Sequence, residues 1–242
     1  MTRHGSGPHR PHGAHEAREE TQREAAHDFS DPVAMSARLD GPARDAKEFP
    51  EEILAALELH PSLTVADVGA GTGYFTVRLA RAVPEGVVIA TDVEPALVRA
   101  LTERVRAEGL HNVRVVQGGA SDPGLAPASV DRILLLGVWH HLQDRATYAR
   151  ALGEALAPGG RILIVEGAQH AHGSHQPHGS HPPHGSHHGL HAALGTAHPH
   201  GPHQASALTV EHICADLDAA GMEARASPST IPGRILVEAH RP

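Results

Sequence analysis

Two short stretches of this chain carry residue types whose spacing allows chemistry at an exposed turn. The first is Asp67-Val68-Gly69-Ala70-Gly71-Thr72-Gly73-Tyr74, a carboxylate followed by glycines at alternate positions. It falls where an apolar run hands over to a helical pattern, the place at which α/β sheets bind nucleotides. Glycines there turn the chain sharply and let the backbone approach a ligand closely. Spacing narrows the ligand. A dinucleotide fingerprint wants glycine at the first, third and sixth positions. Counted from Gly69 the sixth residue is Tyr74, and counted from Gly71 it is Thr76. A phosphate-binding loop ends in Gly-Lys-Ser/Thr, and the single lysine, Lys47, lies elsewhere.

The second stretch is Trp139-His140-His141-Leu142. A neutral histidine at the carboxyl end of a central strand can take a proton from a phenol, an enol or an amine. His140 stands slightly ahead of His141 for that role. Trp139 reads equally well as a substrate wall or as a packed aromatic. A third feature is a tract at 170–203 that holds 12 histidines, with Gly, Ser and Pro filling most of the rest. His172, His175, His178, His181, His184 and His187 recur every three residues through a hexapeptide repeat. Imidazole suits Zn, Ni and Cu, and this spacing in a flexible chain makes many weak, interchangeable sites. The alternative is a solvated low-complexity insert grown by repeat expansion.

These residues need a scaffold, and the composition bounds it. The chain has 242 residues, 40% hydrophobic and only 2% aromatic, so its core is aliphatic. A net charge of −8 excludes a generally basic nucleic-acid binder. One cysteine, Cys214, excludes an internal disulfide and a cysteine-based zinc site. The 23 histidines make the charge balance sensitive to mild acid. No apolar run follows the first residues and none approaches membrane-spanning length, which predicts a cytoplasmic protein with no membrane span.

Apolar strands are expected at 63–68, 87–90, 113–116, 130–136 and 162–165. Helical patterns lie at 51–59, up to Leu79, and at 95–107, 145–156 and 209–220. A closing strand pair is expected near 222–226 and 235–239. Pro158-Gly159-Gly160 reads as a helix stop and turn before a strand that starts at Arg161. Strands alternating with helices predict an α/β fold, a doubly wound, mostly parallel, Rossmann-like seven-stranded sheet with helices on both faces. The domain is expected over 28–169 and 205–242, with a disordered segment at 1–27 and a disordered His-rich insert at 170–204.

With DVGAGTG at 67–73, Asp92 after the second strand, VDRILLLGVWHHL at 130–142 and LAPGGRILIVE at 156–166, the sequence resembles the class I S-adenosylmethionine-dependent methyltransferases. Its nearest likeness is to the branch around the ubiquinone/menaquinone C-methyltransferases. The resemblance covers roughly residues 50–166 and the tail from 205. It implies that Gly69, Ala70, Gly71 and Gly73 pass under the cofactor S-adenosylmethionine and that Asp67 faces its ammonium. Asp92 is implied to accept from both ribose hydroxyls, with Glu94 a competing partner, and Val93, Ala120 and Gly137 to complete the cofactor site. Other roles open to Asp67 and Asp92 are a turn-stabilising carboxylate and an acidic residue at a helix start. Gly119 occupies the slot where many members carry an acid near the adenine, leaving Asp122 or the backbone near Ala120 for that contact.

Methyl transfer is an in-line displacement in which positioning outranks base catalysis. There is no Asn/Asp-Pro-Pro-Tyr motif, no basic–aromatic stripe and no second cysteine. Methylation of DNA bases, RNA and arsenic is thereby disfavoured, and a small organic acceptor is left as the expected substrate. The segments 28–50 and 170–203 occupy the places where relatives build a substrate lid. Two other classes stay open: a metal-binding protein on a methyltransferase-like scaffold, and a non-catalytic cofactor-binding relative.

Overall fold

The computed structural model describes residues 42–168, 208–229 and 231–242. The readings made for 1–27, for 28–41 and for the insert, including all six proposed metal-ligating histidines, lie outside the described residues. In chain order the elements are α1 (Pro42–Glu48), α2 (Pro50–Ala56), β1 (Thr64–Val68), α3 (Tyr74–Ala82), β2 (Val87–Asp92), α4 (Pro95–Ala107), β3 (Val113–Gln117), β4 (Val130–Leu136), a 3-10 turn (Trp139–His141), α5 (Arg145–Ala155), β5 (Leu156–Gly167), α6 (Val210–Ala219), β6 (Glu223–Ala226) and β7 (Arg234–His240).

The sheet runs β3-β2-β1-β4-β5-β7-β6. Strands β1 to β5 pair in parallel, and β7 enters antiparallel between β5 and β6. This is the seven-stranded, doubly wound architecture the alternating pattern predicts. Both faces of the central strands are covered, which is why those strands read as continuous apolar runs. Ala66 and Val68 face one cluster with Ile133, Leu135, Trp139, α5 and α6. Val65 faces the other with Leu134, Leu163, α2 and α3. Asp67 shares the side of Val65, one residue before β1 ends.

Two local expectations are corrected. The helix expected over 51–59 stops at Ala56, because Glu58 takes a left-handed φ of 47° that a helix cannot propagate. Pro158-Gly159-Gly160 lies inside β5, which starts at Leu156 directly after α5. The step from Val130 to Arg132 on β4 faces the step from Leu156 to Arg161 on β5, so the extra residues bulge out of the ladder. Gly160 is needed there, since a Cβ would stand 2.9 Å from the Ala157 carbonyl oxygen.

Helix α1 is strapped to the start of α3. Asp45 accepts from the Tyr74 hydroxyl and from Arg78 at 2.7 Å. The guanidinium carbons of Arg44 and Arg78 lie 3.9 and 4.0 Å from the centre of the Tyr74 ring. Glu48, at the end of α1, pairs with Arg234 of β7. Tyr74 opens α3 immediately after Gly73, so this contact holds the outer wall of the glycine turn.

Candidate functional site

The turn between β1 and α3 is fastened strand to strand. Gly69 and Ala70 both donate to the Thr91 carbonyl, at 2.8 and 2.9 Å, and Gly71 donates to Asp92 Oδ2 at 2.9 Å. From the far side, Arg104 of α4 donates to the Thr72 carbonyl at 3.0 Å. Gly69 has a φ of 71° and a Cβ there would meet Val138 Cγ2 at 2.4 Å. Gly73 has a φ of 90° and a Cβ there would meet Leu101 Cδ1 at 2.6 Å. Conformation and space therefore both demand glycine at these two positions.

Two buried carboxylates flank this turn. Asp67 Oδ2 accepts from Thr76 Oγ1 of α3 at 2.6 Å. Burial pushes its carboxyl up to about 6, against the pull of the Thr76 hydroxyl and of Arg44's positive charge. Asp92 accepts from Gly71 N–H on one oxygen and from Glu94 N–H, at 2.9 Å, on the other. Burial raises its pKa as well, opposed by those backbone donors. A carboxylate offers about four acceptor sites, so each oxygen of Asp92 keeps capacity for a ligand donor.

The remaining cofactor residues read from sequence gather at the same carboxyl edge of the sheet. Val93, directly after Asp92, is the large hydrophobic side chain most open to solvent among the described residues, 58% exposed. Gly137, with a φ of 65°, ends β4 and donates to the Val165 carbonyl at 2.8 Å. Ala120 lies exposed in the loop after β3. Gly118 of that loop donates to the Asp92 carbonyl at 3.0 Å. Asp122 Oδ1 accepts from Gly124 N–H at 2.8 Å and closes the loop on itself. The Glu94 side chain caps α4, accepting from Ala96 N–H at 3.3 Å.

At the end of β4 the 3-10 turn presents the histidines. Trp139 is fully buried and its indole N–H donates to Asp216 at 3.2 Å, so it is a packed aromatic. His140 Nδ1 lies 2.9 Å from Glu166 Oε2, and the His140 backbone N–H reaches Oε1 at 3.3 Å. This hydrogen bond raises the imidazole's pKa above its usual value despite partial burial. The His141 ring lies against that of His140, with centroids 3.9 Å apart.

Glu166 was missed as a site residue from sequence. Its signal is an acid closing the otherwise apolar run Ile162-Leu163-Ile164-Val165. Among the described residues no group of three His, Cys, Asp or Glu is placed to hold a metal ion.

Two buried carboxylates beside a lysine-free glycine turn repel a phosphate and attract an ammonium and vicinal hydroxyls. The donor set therefore fits a ligand that carries an ammonium and vicinal hydroxyls, as S-adenosylmethionine does.

Residues 65–160 match the family model described as a methyltransferase domain. Over 120 residues the chain is 27% identical to a demethylmenaquinone methyltransferase of Geobacillus stearothermophilus, covering 49% of this chain and 51% of that one. Over 133 residues it is 31% identical to a trans-aconitate 2-methyltransferase of Deinococcus radiodurans, covering 54% and 49%. The chain spans about half the length of the curated relatives it matches. The crystal structure of a SAM-dependent methyltransferase from Aquifex aeolicus shares the fold at a TM-score of 0.66 and 23% identity, covering 86% of this chain and 97% of that one.

Proposed function

We propose that this chain is a class I S-adenosylmethionine-dependent methyltransferase that transfers a methyl group to a small organic acceptor by in-line displacement, a reading supported by the match of residues 65–160 to a methyltransferase domain. The observation that carries this reading is the pair of buried carboxylates, Asp67 and Asp92, at a turn where a Cβ on Gly69 or Gly73 has no room. Relatives named for demethylmenaquinone and trans-aconitate support an acceptor of that size.

When bound, the cofactor supplies a methyl group on a sulfonium, an electrophile with a ready leaving group. The protein's part is mostly placement. Asp92 holds the ribose hydroxyls and Asp67 the ammonium, which fixes the ligand across the ends of β1 and β2. Holding reactants in line supplies on the order of 7–11 kcal/mol, whereas general base help supplies roughly 10²–10⁴-fold. His140 is the group for that smaller share. With Nδ1 committed to Glu166, Nε2 takes the proton from the acceptor, and the Glu166 carboxylate stabilises the imidazolium that forms.

The test is incubation with methyl-labelled S-adenosylmethionine and a panel of phenols, enols and amines. Label is expected in low-mass products and is expected to fall by roughly 10²-fold or more in His140→Ala. Label in protein or nucleic acid would overturn the acceptor class. S-adenosylhomocysteine binding with no transfer to any acceptor would turn the reading into that of a non-catalytic cofactor-binding relative.

A further inference from the structure

The turn that carries His140 is held by two sets of contacts, and only one of them has a part in the reaction described above. That one is the Glu166 carboxylate of β5, which lies 2.9 Å from the His140 ring nitrogen and accepts from its backbone N–H at 3.3 Å. The other set grips Trp139, the residue before it. The Trp139 indole N–H donates to Asp216 Oδ2 of α6 at 3.2 Å. The Trp139 carbonyl accepts from Arg145 Nε, at the start of α5, at 3.2 Å and from Leu142 N–H at 3.3 Å. Arg145 and Asp216 face each other at 3.9 Å, which closes a ring through α5, α6 and the turn.

Asp216 owes its place to the core. Ile213 and Leu217, one helical turn apart, are buried in the cluster that also holds Trp139. Residues three and four apart share one side of a helix, so Asp216, three after Ile213, is carried to the same wall. Trp139 is fully buried, and an indole N–H so placed needs an acceptor. Asp216 is that acceptor, and the bond fixes how the ring sits. The charges acting on the His140 imidazole are those of Glu166, which raises its pKa, and Arg145, which lowers it; the ring beside it is that of His141. Asp216 is not among them, so it reaches His140 through the position of the turn.

We propose that Asp216 is a positioning residue for His140: by holding the Trp139 indole it fixes the 3-10 turn at which the imidazole meets Glu166. The role rests on the reading of His140 as the group that takes the acceptor's proton. Asp216, like Glu166, lies beyond residues 65–160, the part that matches a methyltransferase domain. Helix α6 thereby bears on the site through the turn.

The test pairs Asp216→Leu, which removes the acceptor at similar size, with Asp216→Asn, whose amide oxygen still accepts the indole N–H. Three readouts are taken on the full chain. They are the His140 titration by NMR, assigned against His140→Gln, the affinity for S-adenosylhomocysteine, and transfer of labelled methyl to the acceptor panel. In Asp216→Leu the His140 titration is expected to fall towards the ordinary 6.5 as the ring leaves Glu166. Transfer is expected to drop roughly 10- to 100-fold with cofactor affinity unchanged. Asp216→Asn is expected to keep both close to wild type. If Asp216→Leu does not fold, Trp139→Phe breaks the same bond from the other side and is expected to show the same fall. An unmoved His140 titration in the variant that lacks the bond overturns the proposal, whatever happens to stability. So does an Asp216→Asn that behaves like Asp216→Leu, which would assign the effect to charge. A titration that moves as expected while the wild type methylates no acceptor upholds the placement and overturns the reading of His140 as a base.

Discussion

His140 and Glu166 are 26 residues apart in sequence and 2.9 Å apart in space, imidazole Nδ1 to carboxylate Oε2. They meet because β4 and β5 are parallel neighbours whose registered ends, Leu136 and Val165, bring the segment after one strand beside the last residues of the other. The carboxylate is buried while the imidazole is partly exposed, so the pair presents one polarised nitrogen to the outside. In the proposed reaction that nitrogen is the one that takes the proton.

The first prediction concerns this pair and needs no acceptor. Glu166→Gln removes the charge that raises the His140 pKa, so the histidine titration followed by NMR moves down towards the ordinary 6.5. A folded-state value above the unfolded one stabilises the fold fully below pH 6.5 and loses that contribution as pH climbs through the folded value. The stability gap between wild type and Glu166→Gln therefore narrows from pH 6 to pH 9. An unshifted His140 titration would show that the two groups do not interact.

Asp67 supplies the second. Its carboxyl titrates near 6 rather than 3.8 because of burial, so the folded state favours the protonated form. The sign follows from linkage: stability is lost as pH rises from 3.8 to about 6, and at pH 7 the ionised group costs about 2–3 kcal/mol. Asp67→Asn is expected to raise the thermal midpoint at pH 7 while weakening S-adenosylhomocysteine, whose ammonium needs the charge. The wild-type affinity is expected to improve from pH 5 to pH 7 with a midpoint near 6. A variant that is less stable and binds as well would contradict both halves.

Gly69 gives the third. Alanine there combines a left-handed φ with a 2.4 Å approach to Val138, and strained backbone alone costs of order 1–3 kcal/mol. Chemical denaturation of Gly69→Ala is expected to show a loss of about 2 kcal/mol or more. Adding Val138→Ala is expected to recover the part due to the clash and leave the part due to φ. Full recovery would show that φ at Gly69 is not constrained.

Much of this was legible in the sequence, for physical reasons. The central strands are buried on both faces, so their apolar runs stand out; β4 at 130–136 and α4 at 95–107 fall within the expected bounds. The glycine turn was legible because Asp67 and its alternating glycines fit few ligands. The Glu166–His140 contact was not, because it depends on which strands lie side by side, and sheet order is a property of the assembled fold. Helix α1 was hidden too. It is seven residues long, and what holds it is the ring of Tyr74, Arg78 and Asp45 rather than a periodic apolar stripe.

The central claim is that Asp92 holds a nucleoside at the glycine turn, and calorimetric titration of S-adenosylhomocysteine tests it most directly. Wild-type protein is expected to bind in the micromolar range. Asp92→Asn keeps an oxygen for the Gly71 N–H but loses the charge, and is expected to weaken binding by roughly 10–100-fold. Equal affinity in the two proteins would remove Asp92 from the site, and no binding by the wild type would contradict the account as a whole.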